Sequence, residues 1–243
     1  MRQSRVVRPL LASALQLWLR SLVARVDDLD INIQASDRQL LGGHLPQVSL
    51  KAEGTVYEGL YLSQVALEAG GIRVNLRQIL RGQPFKLADP ITVRLQAWVS
   101  AEDLNRSLGS EKLSTALATL LQQILPQAAV QVTHIDLAAN QLTFQGKVIT
   151  LEKGKSKAGA PAGQLPNQTL ARESIDAPVI LSTQVTAQAS TLHFEAVQLL
   201  AYPGSALPQL LPDHALPLGD VRLEVLDIRP EAIALVGEIK VLP

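Results

Sequence analysis

Strict two-residue alternation constrains this chain more than any other feature. Leu29, Ile31 and Ile33 interleave with Asp30, Asn32 and Gln34; Val48, Leu50 and Ala52 interleave with Ser49, Lys51 and Glu53. Ile72, Val74 and Leu76 follow with Arg73 and Asn75 between them. Ile91, Val93, Leu95, Ala97 and Val99 then alternate with Thr92, Arg94, Gln96 and Trp98. Such a period gives each strand one dry face and one wet face, as in an antiparallel sheet covered on one side. The densest stretch, residues 37–82, reads as short strands joined by turns, two of them at Gly42-Gly43 and Gly70-Gly71, and closed by an Arg-bounded amphipathic turn.

The period changes to that of a helix in two places. From residue 9 to 26, Leu10, Leu11, Leu15, Trp18, Leu22 and Val26 fall at helical spacing. Leu17, Leu19 and Val23 widen the stripe, leaving Arg5, Ser13, Gln16 and Arg20 as a narrow polar strip. Two readings fit so apolar a helix: a core helix under a sheet, or a surface-seeking helix with Trp18 at a membrane interface. The second helical region begins at Ser100, with Asp103 three residues on as in a capping box. Leu104, Leu108, Leu117, Leu120, Leu121 and Ile124 line one side. Gly109-Ser110 predicts a break with Ser110 starting a second piece, and Pro126 predicts the end.

Strands resume at 130–137, where Val130 and Val132 lie in one phase and Ile135 and Leu137 in the other, predicting a bulge or sharp twist. Residues 142–151 are expected to pair back across Ala139-Asn140. Residues 153–169, rich in Gly, Ala, Lys and Pro, predict a mobile internal loop. Val179, Leu181, Thr183, Val185, Ala187 and Ala189 share a face, answered by Leu192, Phe194 and Ala196 across a turn at Ser190. Residues 202–219 are Pro-rich and predict an irregular crossing loop. Val221, Leu223 and Val225 predict one strand, and 233–241 the last, with Pro230 in the turn between them. The order helix, strands, helix, strands fits an α+β fold. In it a long curved antiparallel sheet wraps around one or two amphipathic helices, as a single domain over residues 1–243.

Composition removes several function classes. Lys plus Arg and Asp plus Glu are 22 each, so no net charge draws the chain to nucleic acid. Aromatic residues are 3%, too few for base-stacking platforms. There is no Cys, hence no disulfide, thiolate nucleophile or thiolate metal site. No apolar run reaches the roughly 20 residues of a spanning helix. Arg2, Arg5 and Arg8 precede an apolar run over 9–19 of signal-peptide length, but no small-x-small cleavage motif follows. A cleavable signal is therefore not expected. The compartment stays open between cytoplasm and cell envelope, peripheral to a membrane.

Catalytic and metal chemistry finds no constellation. His44, His134, His193 and His214 have no partner at metal-ligand spacing. Asp27, Asp28 and Asp30 lack the spacing of a calcium loop and mark a helix-to-strand turn. Neither a GxSxG elbow nor a P-loop is present, so no enzymatic activity and no cofactor are expected. Arg73, Arg77 and Arg81 are spaced by four: either a basic ridge for a phosphate headgroup or a solvated face. What remains is aliphatic surface in quantity. It suits either acyl chains in a groove between helix and sheet or an ordinary closed core.

Several short motifs carry a resemblance. These are DRQLLGG at 37–43 with Pro46, Val48 and Leu50 after it, YEGLYLSQV at 57–65, IRVNL at 72–76 and EDLN at 102–105. Together with the flanking residues from Leu17 to Leu121, they resemble cyanobacterial members of the LmeA-like phospholipid-binding family. The resemblance implies a non-enzymatic protein of tubular lipid-binding-like fold that binds, and moves, a phospholipid or other acyl-chain lipid. Leu15, Trp18, Leu22, Leu117 and Leu121 would present the helix faces. Ile72, Val74, Val93, Leu95, Val185 and Phe194 would line the sheet. Arg73, Arg77 or Arg81 would meet the headgroup. The alternative is a structural or protein-interaction domain with a closed core and a docking N-terminal helix.

Overall fold

The computed structural model describes residues 13, 16, 17, 20, 21, 23–75, 87–126, 128–149, 177–202 and 208–242. Within them the architecture is mostly antiparallel strand with a few short helices, divided between two open sheets. The first sheet runs β1 (Asp28–Gln34), β2 (His44–Tyr57), β3 (Leu60–Arg73), β4 (Ile91–Ser100), β12 (Ala232–Val241) and β11 (Val221–Arg229). The second runs β10 (His214–Pro217), β8 (Thr191–Ala201), β7 (Ala177–Gln188), β6 (Gln141–Ile149) and β5 (Ala129–Ala138), with β9 (Gln209–Leu210) also beside β8. The 153–169 loop and Arg77 and Arg81 lie outside the described residues, as do Leu15, Trp18 and Leu22.

The described part of the 37–82 stretch, residues 37–75, does not form a series of short strands. β2 and β3 are 14 residues each and make one long hairpin, turned by Glu58 and Gly59 at φ 49° and 80°. Two successive positive φ values match the right-handed twist of the strands they join. Gly70 and Gly71 lie inside β3 rather than in a turn; Gly71, at φ 65°, shifts the phase so that Ile72 turns inward beside Leu45. DRQLL supplies a helical turn, α1 (Asp37–Leu41), not a strand. Gln39 Oε1 accepts from Ser36 N at 2.9 Å and Ser36 Oγ at 2.7 Å, and Leu40 is wholly buried. The N-terminal helix stops earlier than residue 26: Ser13, Gln16, Leu17, Arg20 and Ser21 are helical, but Arg25 already bridges Val56 of β2.

The second helical region follows its sequence closely. Ser100 Oγ accepts from Asp103 N at 3.1 Å and starts α2 (Ala101–Arg106). A 3-10 turn over Ser107–Gly109 then breaks the axis. Ser110 Oγ accepts from Leu113 N at 3.2 Å and starts α3 (Glu111–Ile124), which ends before Pro126. These hydroxyls satisfy amides that a helix start leaves unpaired.

Bulges account for the remaining departures. In β5 the register slips between Val132 and His134, as the phase change predicts. The amide and carbonyl of Ile135 are taken up by the Asn105 side chain, at 2.8 Å and 2.9 Å. In β8, Ala196 does not answer across the β7–β8 turn. It sits exposed at φ 50° with its amide on Asp213 Oδ1 at 3.0 Å, and burial passes to Val197 and Leu199. In β11 a slip between Leu223 and Val225 turns Val225 outward. Opposite two of these slips stand glycines: a Cβ on Gly146 would run into the carbonyl of Gln131, and one on Gly237 into that of Arg222. The Pro-rich stretch is not wholly irregular, since β9 and β10 within it pair with β8.

The largest hydrophobic cluster lies on the second sheet. Leu117, Leu120, Leu121 and Ile124 of α3 pack on Ile135, Phe144, Leu181, Val185 and Phe194. Ile228 of β11 joins the same cluster, so the first sheet contributes one edge to it. There the hairpin ends of the second sheet abut β11: Leu223 N donates to Ala189 O at 2.8 Å and Asn140 N to Ile228 O at 3.0 Å. A separate cluster of Ile33, Leu40, Leu45, Val48, Ile72 and Val74 closes the far end of the first sheet under α1.

Candidate functional site

Pairing across the first sheet lays its apolar residues out in three rows. One is Ile33, Val48, Ala69, Val93, Ile239 and Val221. The next is Ile31, Leu50, Leu67, Leu95, Gly237 and Leu223. The third is Leu29, Ala52, Val65, Ala97, Leu235 and Leu226. Directly opposed residues in an antiparallel sheet share a face. The rows therefore form one uncharged surface in which only Gly237 of the eighteen positions lacks an apolar side chain. No aromatic residue interrupts it. Six strands at about 4.8 Å spacing make it roughly 24 Å long, and three rows two residues apart make it about 13 Å deep along the strands.

The described helices meet this sheet at its ends. α1 seats on the His44 end through Leu40 and Leu45. At the other end Ser63 of β3 donates to Asp103 Oδ2 at 2.7 Å and accepts from Ser100 N at 2.9 Å. Ser107 Oγ accepts from Tyr61 N at 2.8 Å, and Arg106 lies 4.2 Å over the Tyr61 ring. Between these ends Val65, Leu67, Val93 and Leu95 are half-buried, while Leu50, Ala52, Ala97 and Leu223 are buried without belonging to either of the two hydrophobic clusters.

Charge is confined to the opposite face and the periphery. There Asn32, Ser49, Glu68, Arg94, Glu238 and Arg222 make a polar row, and Arg94 pairs with Glu224 at 3.4 Å. The basic groups with raised pKa are exposed partners of single carboxylates. The hydrogen bond it donates to Asp27 raises Arg25, the one donated to Glu58 raises Lys112 and the one donated to Asp227 raises Arg229. Asp27 is thus engaged by Arg25 at 2.8 Å. Among the described residues no group of three His, Asp or Glu is placed to hold a metal, and no helix is long and apolar enough to cross a membrane.

The residues expected to form one lining are distributed over three places. Val93 and Leu95 stand in the apolar rows. Ile72 and Val74 belong to the cluster under α1. Leu117, Leu121, Val185 and Phe194 are packed together in the closed cluster of the second sheet. Arg73 is exposed at the end of β3, 3.9 Å from Asp89. The sequence reading missed Leu67, Val65 and Ala69, whose alternation within residues 60–69 was available, and the matching role of β12, whose pairing with β4 spans more than 130 residues and leaves no local signal.

This arrangement defines an antiparallel two-sheet protein that carries three aliphatic rows, buried or half-buried, on one sheet and a helix-covered core on the other. The chain belongs to the LmeA-like phospholipid-binding family, whose model matches residues 2–238. No curated protein and no solved structure matches it. The family is described by a ligand, phospholipid, and not by a reaction.

Proposed function

We propose that this protein is a non-enzymatic phospholipid carrier whose acyl chains lie on the apolar face of the first sheet. The observation that carries this is the three-row surface without a charged or polar side chain, in a member of a phospholipid-binding family. Acyl chains need area and no directional contacts, at about 25 cal/mol per Å² of apolar surface removed from water. The surface forms one wall of a groove between a curved sheet and a helix, within one lipid-binding domain. The cluster shared by Ile228 and the second sheet supports that unity. Val93 and Leu95 touch the chains, Ile72 and Val74 close one end, and Arg73, between them in sequence, meets a headgroup phosphate. The protein acts at a membrane periphery and transfers the lipid it holds. Leu117, Leu121, Val185 and Phe194 favour a second, structural role for their half, because they are packed against one another.

The test is lipid extraction from protein purified without added lipid, followed by transfer of labelled phospholipid between donor and acceptor vesicles. Co-purifying phospholipid at near one per chain and accelerated transfer are expected. A lipid-free preparation that neither binds nor moves the label removes the proposal. Binding without transfer leaves a holder rather than a carrier.

A further inference from the structure

We infer that β1 is where two copies of this chain join, strand to strand, so that their first sheets run on as one. The joint does not depend on the phospholipid reading above. A sheet edge offers unpaired backbone groups to another chain unless something blunts it. Along β11 the hairpin ends of the second sheet do so: Leu223 N donates to Ala189 O at 2.8 Å and Asn140 N to Ile228 O at 3.0 Å. On β5 the Asn105 side chain takes up the amide and carbonyl of Ile135. Beside β8 the second sheet finishes in β9 and β10, two and four residues long, and β10 ends at Pro217, which has no amide to offer. β1 is different. It is seven residues long and holds neither Pro nor Lys, and among the described residues nothing pairs with its outer side.

The strand is complementary to itself along its whole length. A second copy related by a two-fold axis meets β1 antiparallel, with opposed residues on the same face. Centred on Ile31, this pairing sets Ile31 against its own copy and Leu29 against Ile33 on the apolar face. On the polar face it sets Asp30 against Asn32 and Asp28 against Gln34. Each carboxylate thus faces a side-chain amide able to donate to it. Neighbouring registers are worse. Centred on Asp30, that carboxylate meets its own copy; centred on Asn32, Asp28 and Leu29 lie beyond the end of the partner strand. A slip by a single residue in the pairing opposes apolar to polar side chains throughout. The two acidic residues therefore select a register rather than close the edge. Leu29 and Ile31 are half-buried within one chain and keep surface for a partner to cover. The three apolar rows end on β1 at Ile33, Ile31 and Leu29, and the pairing carries each of them into a row of the second copy.

The experiment is sedimentation velocity of the full chain over a concentration series, at low and at high salt. A reversible monomer–dimer equilibrium is expected. Asn32 is exposed and reads the register directly. Asn32→Asp sets carboxylate against Asp30 on both sides of the two-fold axis and is expected to raise the dimer Kd about fivefold or more at low salt. Asn32→Lys sets an ammonium there instead and is expected to lower it by a similar factor. Both shifts should shrink at high salt. A wild type that stays monomeric up to the millimolar range overturns the inference. So does a dimer whose Kd the two opposite charges leave unchanged or move in the same direction, since the contact then lies elsewhere. Lipid extraction from the same preparations is read separately: a monomer that carries phospholipid removes the joint and leaves the carrier, and a lipid-free dimer does the reverse. Should Asn32→Asp fail to fold by circular dichroism, the wild type and Asn32→Lys decide.

Discussion

The two sheets use the same aliphatic residues and do different things with them. On the second, α3 lays four buried side chains onto the sheet, Phe144 and Phe194 fill the space between, and the cluster closes. On the first, the described helices stop at the ends, no aromatic stands in the rows, and the centre of β3 and β4 is half-buried. Apolar content alone does not distinguish a core from a ligand surface; what differs among the described residues is that a helix packs on the middle of the second sheet's face. Large-to-small substitutions therefore offer the sharpest way to break the comparison. Leu120 and Leu181 are each 1% exposed in the second sheet's cluster. Replacing either by Ala is expected to cost about 2–5 kcal/mol in urea unfolding. Lipid binding by the folded fraction should be unchanged. Leu95→Ala on the first sheet removes the same atoms from a half-buried site. It is expected to cost about 1–2 kcal/mol, since less area was removed from water, while weakening phospholipid binding at least tenfold. Equal stability losses at Leu95 and Leu120 would show that the first face is as closed as the second, and the contrast would collapse.

The edge between the sheets gives the next effect. Asn105 reaches from α2 to satisfy both the amide and the carbonyl of Ile135 beside the β5 bulge. Asn105→Ala strands two part-buried backbone groups, with an expected loss of about 1–3 kcal/mol. Hydrogen exchange should locate the loosening in β5 rather than in β2–β4. Loosening of the first sheet instead would mean that the two sheets unfold as one unit.

Which half was legible follows from how local its signals are. The caps at Ser100 and Ser110, the break at Gly109 and the β5 phase change are written within four or five residues, and the structure carries all of them. Ala196 leaves the face expected of it, and Val225 turns outward within its expected strand, because a bulge in β8 or β11 is set by partners outside the local window, Asp213 and Val236. Alanine, in addition, gives no contrast between inside and outside. DRQLL was unreadable as a helix because a single turn has no periodicity to show. The candidate surface was half legible. Val93 and Leu95 stood in a clean alternation, but the rows reach β12 and β11 only through β4–β12 pairing, a contact of high sequence separation. The residues assigned to the same lining on α3 and β7–β8 turned out to share a cluster with one another rather than with Val93 and Leu95.

Smaller effects sharpen the contrast from its polar side. Ser110→Ala removes the cap of α3, the helix that closes the second sheet. About 1 kcal/mol of stability should be lost, with near-normal lipid binding, because the first face is untouched. Arg94→Gln is the mildest change. Arg94 stands on the polar face of β4, directly between Val93 and Leu95 in sequence but on the other side of the sheet, and its partner Glu224 is 3.4 Å away and exposed. An exposed pair of this kind contributes about 0.2–1 kcal/mol and is screened by salt. The variant should therefore unfold within that margin at low salt, and indistinguishably from wild type at high salt. Its affinity for uncharged-headgroup vesicles should not move. A large affinity loss at Arg94 would mean that the ligand engages the polar face, since no rearrangement of a solvated side chain on that side reaches the rows opposite. The assignment of the two faces of the first sheet would then have to be reversed.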